Sequence, residues 1–269
     1  MNRFLIVTNK LKDPDNQVTD ALAQYLQSKG LTAGTDINDT YDCCLALGGD
    51  GTIINTVRRL KTRDIPVLGI NLGHLGFMSS IERSEINQAI DKLINGDYYI
   101  EERMMITARH IRQGTVTENE WLALNDVVIN RMGFSRIVCV RAYVNDALVN
   151  TYLGDGIIIA TPTGSTGYNL SAGGPIVTPE AELMVVTPIC PHSLNLRSVV
   201  VSANDTVRVF VDTSRDSSPE KAVMTIDGQE PVELENGDGV EVCRSAKKAK
   251  LIRFNERGFF KVLHMKLSV

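Results

Sequence analysis

Gly48-Gly49-Asp50-Gly51-Thr52 puts three glycines, one carboxylate and one hydroxyl where an apolar run gives way to a helical pattern. Cys43, Cys44, Leu45, Ala46 and Leu47 precede the stretch; Ile53, Ile54, Val57 and Leu60 follow on one helical face. The spacing predicts a buried strand, a turn at its carboxyl end and a helix, and open α/β sheets bind ligands at that place. Glycines let backbone N–H groups come close to a phosphate, and a helix N-terminus adds unbonded donors and partial positive charge. Asp50 does not serve anion binding; a carboxylate beside phosphates binds a metal ion or takes the proton of an attacking hydroxyl. The alternative is a tight turn with Asp50 as the helix N-cap.

Two more stretches offer chemistry. Asn71-Leu-Gly-His-Leu-Gly-Phe-Met78 is a second glycine-punctuated loop after an apolar strand, so a ligand could lie across both loops. Residues 154–175 read as a strand over 157–160, a turn dense in Thr, Ser and Gly, then two turns of helix. Many short donors and acceptors with little bulk suit a polyhydroxyl, ribose or phosphate ligand, and Tyr168 with its apolar flank suggests a lined pocket; the alternative is an elaborate surface turn. Asn125-Asp126 is a polar pair at the start of Val127-Val128-Ile129, readable also as a strand-edge turn. His74, His110, His192 and His264 read as ordinary hydrogen-bonded histidines, with His110 and His264 in strand-like runs, and there is no His-Glu-x-x-His zinc motif.

These stretches must be positioned by two different kinds of structure. Residues 1–96 alternate strands (3–9, 41–47, 65–70) with helices (15–29, 84–95), which implies an α/β, Rossmann-like domain with a mostly parallel sheet. From residue 97 to 254 helical periodicity nearly vanishes. Short strands take over at 98–111, 121–130, 137–144, 147–152, 156–160, 199–201, 207–211, 222–226, 240–244 and 250–254. Turns such as Asn145-Asp146 and Asp227-Gly228 separate them, as expected of a β-rich, sandwich-like antiparallel domain. Residues 213–220 and 235–239 read as exposed loops. A hydrophobic content of 43% over 269 residues supplies a full core, and a net charge of −4 argues against a nucleic-acid partner bound through its phosphates. No apolar run approaches the roughly 20 residues of a membrane span, and the first residues read as a strand, not a signal peptide. Five cysteines, none in Cys-x-x-Cys, read as reduced thiols of a cytoplasmic protein.

Taken together, Gly-Gly-Asp-Gly-Thr (48–52), Asn-Leu-Gly-His-Leu-Gly-Phe (71–77), Asn-Asp (125–126), Asp-Gly (155–156), Thr-Pro-Thr-Gly-Ser-Thr-Gly-Tyr (161–168), Ser-Ala-Gly-Gly-Pro (171–175) and Asp-Gly-Gln (227–229) closely resemble the bacterial NAD kinases in order and spacing. The first motif is shared with lipid kinases and phosphofructokinase-like enzymes; residues 161–175 are far more specific. Gly167 stands where the family usually has alanine, and Ser198 where it has proline.

The resemblance implies phosphoryl transfer from ATP or polyphosphate, with a divalent metal such as Mg2+, to the 2′-hydroxyl of the adenosine ribose of NAD. It implies Asp50 as the catalytic carboxylate, with Gly49 and Gly51 near the phosphates. Asn125 and Asp126 would hold ribose hydroxyls or the adenine end, and Asp155 the nicotinamide end. Thr163, Thr166, Gly167, Tyr168, Ser171 and Gln229 would complete the nucleotide site, with Phe77 closing its apolar side. No carboxylate cage for a resident metal is visible, so the ion would arrive with the nucleotide. The resemblance also implies that residues 255–269 return to the first domain and that the protein is a homodimer or homotetramer. The competing readings are a lipid or sugar kinase sharing the Gly-Gly-Asp-Gly turn and a non-catalytic NADP-binding sensor.

Overall fold

A computed structural model describes the chain except residues 61, 62, 74, 75, 134–136, 194, 195, 213–221, 255–257, 268 and 269. His74 and the loop at 213–220 therefore lie outside the described residues. In chain order the elements are β1 (Arg3–Thr8), α1 (Gln17–Ser28), β2 (Thr32–Gly34), β3 (Cys43–Gly48), α2 (Asp50–Arg59), β4 (Val67–Asn71), β5 (Ile81–Glu82), α3 (Ile86–Asn95), β6 (Tyr99–Arg112), β7 (Thr115–Ala123), β8 (Asp126–Arg131), β9 (Val138–Val144), β10 (Ala147–Gly154), β11 (Gly156–Ala160), α4 (Tyr168–Ser171), β12 (Leu183–Ile189), β13 (Val199–Ser202), β14 (Val207–Asp212), β15 (Ala222–Ile226), β16 (Gln229–Leu234), β17 (Gly239–Arg253) and α5 (Phe259–Leu267). Two compact units result, one of Met1–Arg103 with Ala249–Val269 and one of Met104–Lys248. The divisions fall inside β6 and β17, not at the composition changes near 96 and 254.

In the first unit β2, β1, β3 and β4 run parallel in that order, with β5 and the end of β17 also parallel to β4. β3 is buried along its whole length, as a central parallel strand with both faces covered must be. Its side chains pack with Phe4, Ile6, Leu22, Leu26, Leu68, Ile70, Ile90 and Leu93 into one core that also takes in Ile252 and Phe254. α5 belongs to this unit. It makes His264 helical, where the sequence suggested strand; Val262 is its buried residue.

The second unit is antiparallel. One sheet has the order β13-β12-β11-β8-β15-β16; β10, β9, β14 and β17 form another ladder, and β6 pairs with β7. Alternate residues of these strands (Val127, Ile129, Ile157, Ile159, Val138, Val140, Val207, Val209, Val240, Val242) share one core, the arrangement of a sandwich. All five cysteines are free, three of them buried. Burial pushes the Cys44 thiol up to about 12, so it stays protonated and unreactive at neutral pH. Among the described residues no helix is long and apolar enough to cross a membrane.

Candidate nucleotide and phosphate site

In the first unit the glycine turn is built around Asp50. Gly49 is the N-cap, in extended conformation, so Asp50 is the first residue of α2, not its cap as the alternative reading had it. The Asp50 carboxylate reaches across to the second glycine loop. Oδ2 accepts the Phe77 N–H at 2.8 Å, Oδ1 accepts the Met78 N–H at 3.1 Å, and Ser79 Oγ lies 3.5 Å from Oδ1. The approach requires glycine at 76, where a Cβ would sit 1.8 Å from Asp50 Oδ1. The Leu72 N–H, bonded to the Gly48 carbonyl at 3.0 Å, ties the same two loops again. A Cβ on Gly49 or Gly51 would meet nothing within 4 Å, so the turn's outer backbone is open.

Neighbouring groups hold the second loop from behind. Arg253 donates through Nη1 to the Met78 carbonyl at 2.7 Å and to Ser80 Oγ at 3.0 Å, and through Nε to Glu101 at 2.5 Å. Burial pushes the Glu101 carboxyl up, but the guanidinium groups of Arg253 and Arg103 outweigh it and hold the carboxyl below its ordinary value. Phe77 packs against Phe259 of α5 with ring centroids 6.1 Å apart, and Lys266 lies over its ring.

In the second unit, β7 stops at Ala123 and β8 starts at Asp126, where the sequence suggested one strand over 121–130. Asp227 makes the corner. Its Oδ2 accepts the Leu124 N–H at 3.0 Å and its Oδ1 accepts the N–H groups of Asn125 at 2.7 Å and Asp126 at 3.0 Å. The Thr-Gly-Ser-Thr turn folds onto this corner: the Thr161 N–H donates to the Asn125 carbonyl at 2.8 Å and Thr161 Oγ1 to the Leu124 carbonyl at 2.6 Å. A Cβ on Gly164 would lie 2.1 Å from the Asn125 carbonyl oxygen. Gly164→Ala must therefore push two backbone segments apart and is expected to cost about 1–3 kcal/mol, read as a lower melting temperature in calorimetry.

Asn169, fully buried, locks the far side of the turn. Its Nδ2 donates to the carbonyls of Ser165 at 3.2 Å and Pro175 at 3.1 Å, and its Oδ1 accepts from Thr187 Oγ1 at 2.7 Å. Ser198 Oγ, at the position where proline was the expectation, lies 2.9 Å from that same threonine hydroxyl. No local pattern marked Asn169, because its partners are the loop's own carbonyls and a distant strand. Asp227 was visible as half of an Asp-Gly turn signal and as the first residue of the 227–229 motif, not as the maker of this corner.

The resulting surface gathers most of the residues singled out by sequence in this unit. Asn125 Oδ1 is buried and has no hydrogen-bond partner among the described residues. A Cβ on Gly167 would come within 3.4 Å of Asn125 Nδ2. Thr163 is buried and Thr166 Oγ1 approaches its carbonyl at 3.4 Å; Tyr168 is 44% exposed, and Ser171 is exposed at the end of α4. Burial first, then the nearby charges of Cys190, Asp155 and Asp126, push the Tyr168 hydroxyl up. Asp155 is engaged by Arg131, Nε to Oδ1 at 2.7 Å. Gln229 is exposed, on the edge strand β16.

Asp126 is only 5% exposed, and burial together with the Asp227 charge lifts its carboxyl up to about 7. The folded chain thus keeps this proton to about pH 7, whereas the unfolded chain releases it near the ordinary aspartate value of about 3.9. The stability this supplies is complete below the unfolded value and lost as pH rises through the folded one. Asp126→Asn removes the dependence. Its melting temperature relative to wild type is expected to climb by several degrees between pH 4 and pH 8, measured by calorimetry across that range.

Comparison with known proteins places this geometry in context. Residues 31–98 match the family model described as the ATP-NAD kinase N-terminal domain, and residues 124–254 match the ATP-NAD kinase C-terminal domain. An NAD kinase of Lachnoclostridium phytofermentans is 43% identical over 100% of this chain and 99% of its own length, and one of Caldanaerobacter subterraneus subsp. tengcongensis is 39% identical with the same coverage. Among solved structures, an Archaeoglobus fulgidus NAD kinase in complex with ATP matches with TM-score 0.80 and 25% identity, covering 98% of each chain. Yeast NADH kinase complexed with NADH shares the fold, with TM-score 0.91 and 22% identity over 99% of this chain and 87% of that one.

Proposed function

The chain belongs to the ATP-NAD kinase family, and from that premise we propose that it transfers the terminal phosphoryl group of ATP to the 2′-hydroxyl of the adenosine ribose of NAD, giving NADP. Inorganic polyphosphate is the alternative donor of the same chemistry. The observation that carries the reading is the Asn125 corner. A buried amide oxygen without a partner, beside a protonatable Asp126 and a hydroxyl-rich turn, matches a ligand that brings its own donors, as a ribose or adenine does. A lipid acceptor has no use for that density of polar groups.

Asn125 and Asp126 hold the ribose hydroxyls or the adenine end in this reading. Thr163, Thr166, Gly167 and Ser171 line the nucleotide, and Tyr168, exposed, is free to stack on a base. Asp155 meets the nicotinamide end while paired with Arg131, and Gln229 borders the site. In the first unit Gly49 and Gly51 offer open backbone to the donor phosphates, and Phe77 supplies an apolar wall. Asp50 orients the acceptor hydroxyl and takes its proton. Each of its oxygens accepts one backbone N–H and keeps further acceptor capacity for this task.

Among the described residues no three His, Cys, Asp or Glu side chains converge on a metal position. The donor set fits an ion carried by the phosphates and touched by one carboxylate, Asp50. Magnesium held in this way would neutralise charge on the donor. A homodimer or homotetramer and a cytoplasmic location are the expectations that the resemblance to the family carries.

The test supplies γ-labelled ATP and magnesium with NAD, NADH, diacylglycerol or a free sugar as acceptor. Label on the dinucleotide is the expected result. Label on lipid or sugar alone would favour the other kinase reading, and NADP binding without transfer the sensor.

A further inference from the structure

We propose that Lys12, in the loop after β1, is a ligand for the donor's phosphates. The inference rests on the donor reading of the glycine turn given above and adds a residue that no motif marked.

The loop is built, not loose. Asn9 closes it: its carbonyl accepts the N–H groups of Lys12 at 2.9 Å and Asp13 at 3.1 Å, and its Oδ1 accepts the Leu11 N–H at 2.9 Å. Asn9 also anchors the loop to the phosphate turn, through its N–H to the Leu47 carbonyl at 2.9 Å and its Nδ2 to Thr52 Oγ1 at 3.3 Å. At the other end Asp13 accepts from the Val18 N–H, the Thr19 N–H and Thr19 Oγ1. Two side chains are thus spent on fixing the loop backbone that carries Lys12.

Lys12 is exposed, and its side chain makes no hydrogen bond or ion pair among the described residues. Its Nζ lies 3.2 Å from where a Cβ on Gly73 would begin, over the second glycine loop. The Gly73 N–H and carbonyl are occupied by the Asn71 side chain at 3.0 and 2.8 Å, so the ammonium does not serve that backbone. β1, β3 and β4 are parallel neighbours, and their carboxyl ends carry the Lys12 loop, the Gly-Gly-Asp-Gly turn and the Asn71–Gly73 bend. An unspent cation held at that edge, beside an open glycine turn and the start of α2, is placed for an oligophosphate.

The experiment measures binding of inorganic tripolyphosphate by calorimetry and, in parallel, the KM for ATP and for NAD, with wild type, Lys12→Ala and Lys12→Arg. Expected are a weakening of tripolyphosphate binding and a rise in the ATP KM of about tenfold in Lys12→Ala, largely restored in Lys12→Arg, with the NAD KM and the melting temperature unchanged. Because the side chain has no partner to lose among the described residues, an unchanged melting temperature is expected and separates binding from misfolding. Tripolyphosphate affinity equal in wild type and Lys12→Ala, no binding by wild type, or an equal rise in both KM values would overturn the proposal. Since binding is read without turnover, failure of the kinase reading alone appears as intact, Lys12-dependent tripolyphosphate binding with no NADP formed.

Discussion

Asp50→Asn is expected to lower kcat for NADP formation by 10²-fold or more, the scale of removing a positioned acid–base group. The geometry makes the substitution a double event. The carboxylate accepts two backbone N–H groups from the second glycine loop, and the amide that replaces it must turn a donor toward one of them. A stability loss of about 1–3 kcal/mol therefore accompanies the kinetic one. The two effects separate cleanly in practice. Steady-state rates measured well below the variant's melting temperature report the reacting carboxylate, and calorimetry reports the loop. A variant that melts several degrees lower yet keeps wild-type kcat would reduce Asp50 to a tie between loops.

Asp227→Asn has the second largest expected effect. One carboxylate accepts three backbone N–H groups from residues 124–126, and an amide with one acceptor oxygen cannot keep them all. At least one buried donor is orphaned, and bonds to a charged acceptor become bonds to a neutral one, a loss of about 2–4 kcal/mol. For a chain of this size that lowers the melting temperature by roughly 5–15 °C. Because the corner carries Asn125 and Asp126, the NAD KM is expected to rise about tenfold or more while the ATP KM stays near wild type. Removing the Asp227 charge also takes away one of the two causes that raise the Asp126 carboxyl, so that carboxyl is expected to titrate at lower pH in the variant than in wild type. Equal changes in both KM values would show that Asp227 supports the fold without directing it at the dinucleotide.

The parts of the fold that could be read from sequence are those governed by local periodicity. The run from Cys43 to Leu47 followed by Ile53, Ile54 and Val57 could only be strand, turn and helix, and the structure ends β3 and begins α2 there. What could not be read depends on partners far along the chain. The break between β7 and β8 is invisible at Leu124-Asn125, because the residue that makes it is about 100 positions away. The strands read at 240–244 and 250–254 are one strand, β17, which runs unbroken through Ser245, Lys247 and Lys248, exposing 246–248 and burying both ends. β12 has no counterpart among the strands read from sequence, and it carries Pro188, normally a breaker. Its neighbour β13 pairs only with Leu183–Val186, so Pro188 stands where one side of the ladder is already free. β16 tolerates Pro231 for the same reason, as an edge strand.

The same division applies to the site. Glycines and hydroxyls pointed to a phosphate- and ribose-binding surface, with plain turns as the alternative. Their fine positions did not show. Gly76 is glycine because of Asp50, and Gly164 because of the Asn125 carbonyl, contacts that no spacing rule contains. Asp155 illustrates the limit from the other side: its type and place were evident, its pairing with Arg131 was not.

The most direct test of the central claim is phosphorus NMR of the product made by the purified chain from NAD, ATP and magnesium. The expected result is a new phosphomonoester on the 2′-oxygen of the adenosine ribose, formed in step with ADP and absent with Asp50→Asn. ATP hydrolysed with NAD unchanged, or a phosphate attached at any other oxygen, would contradict it.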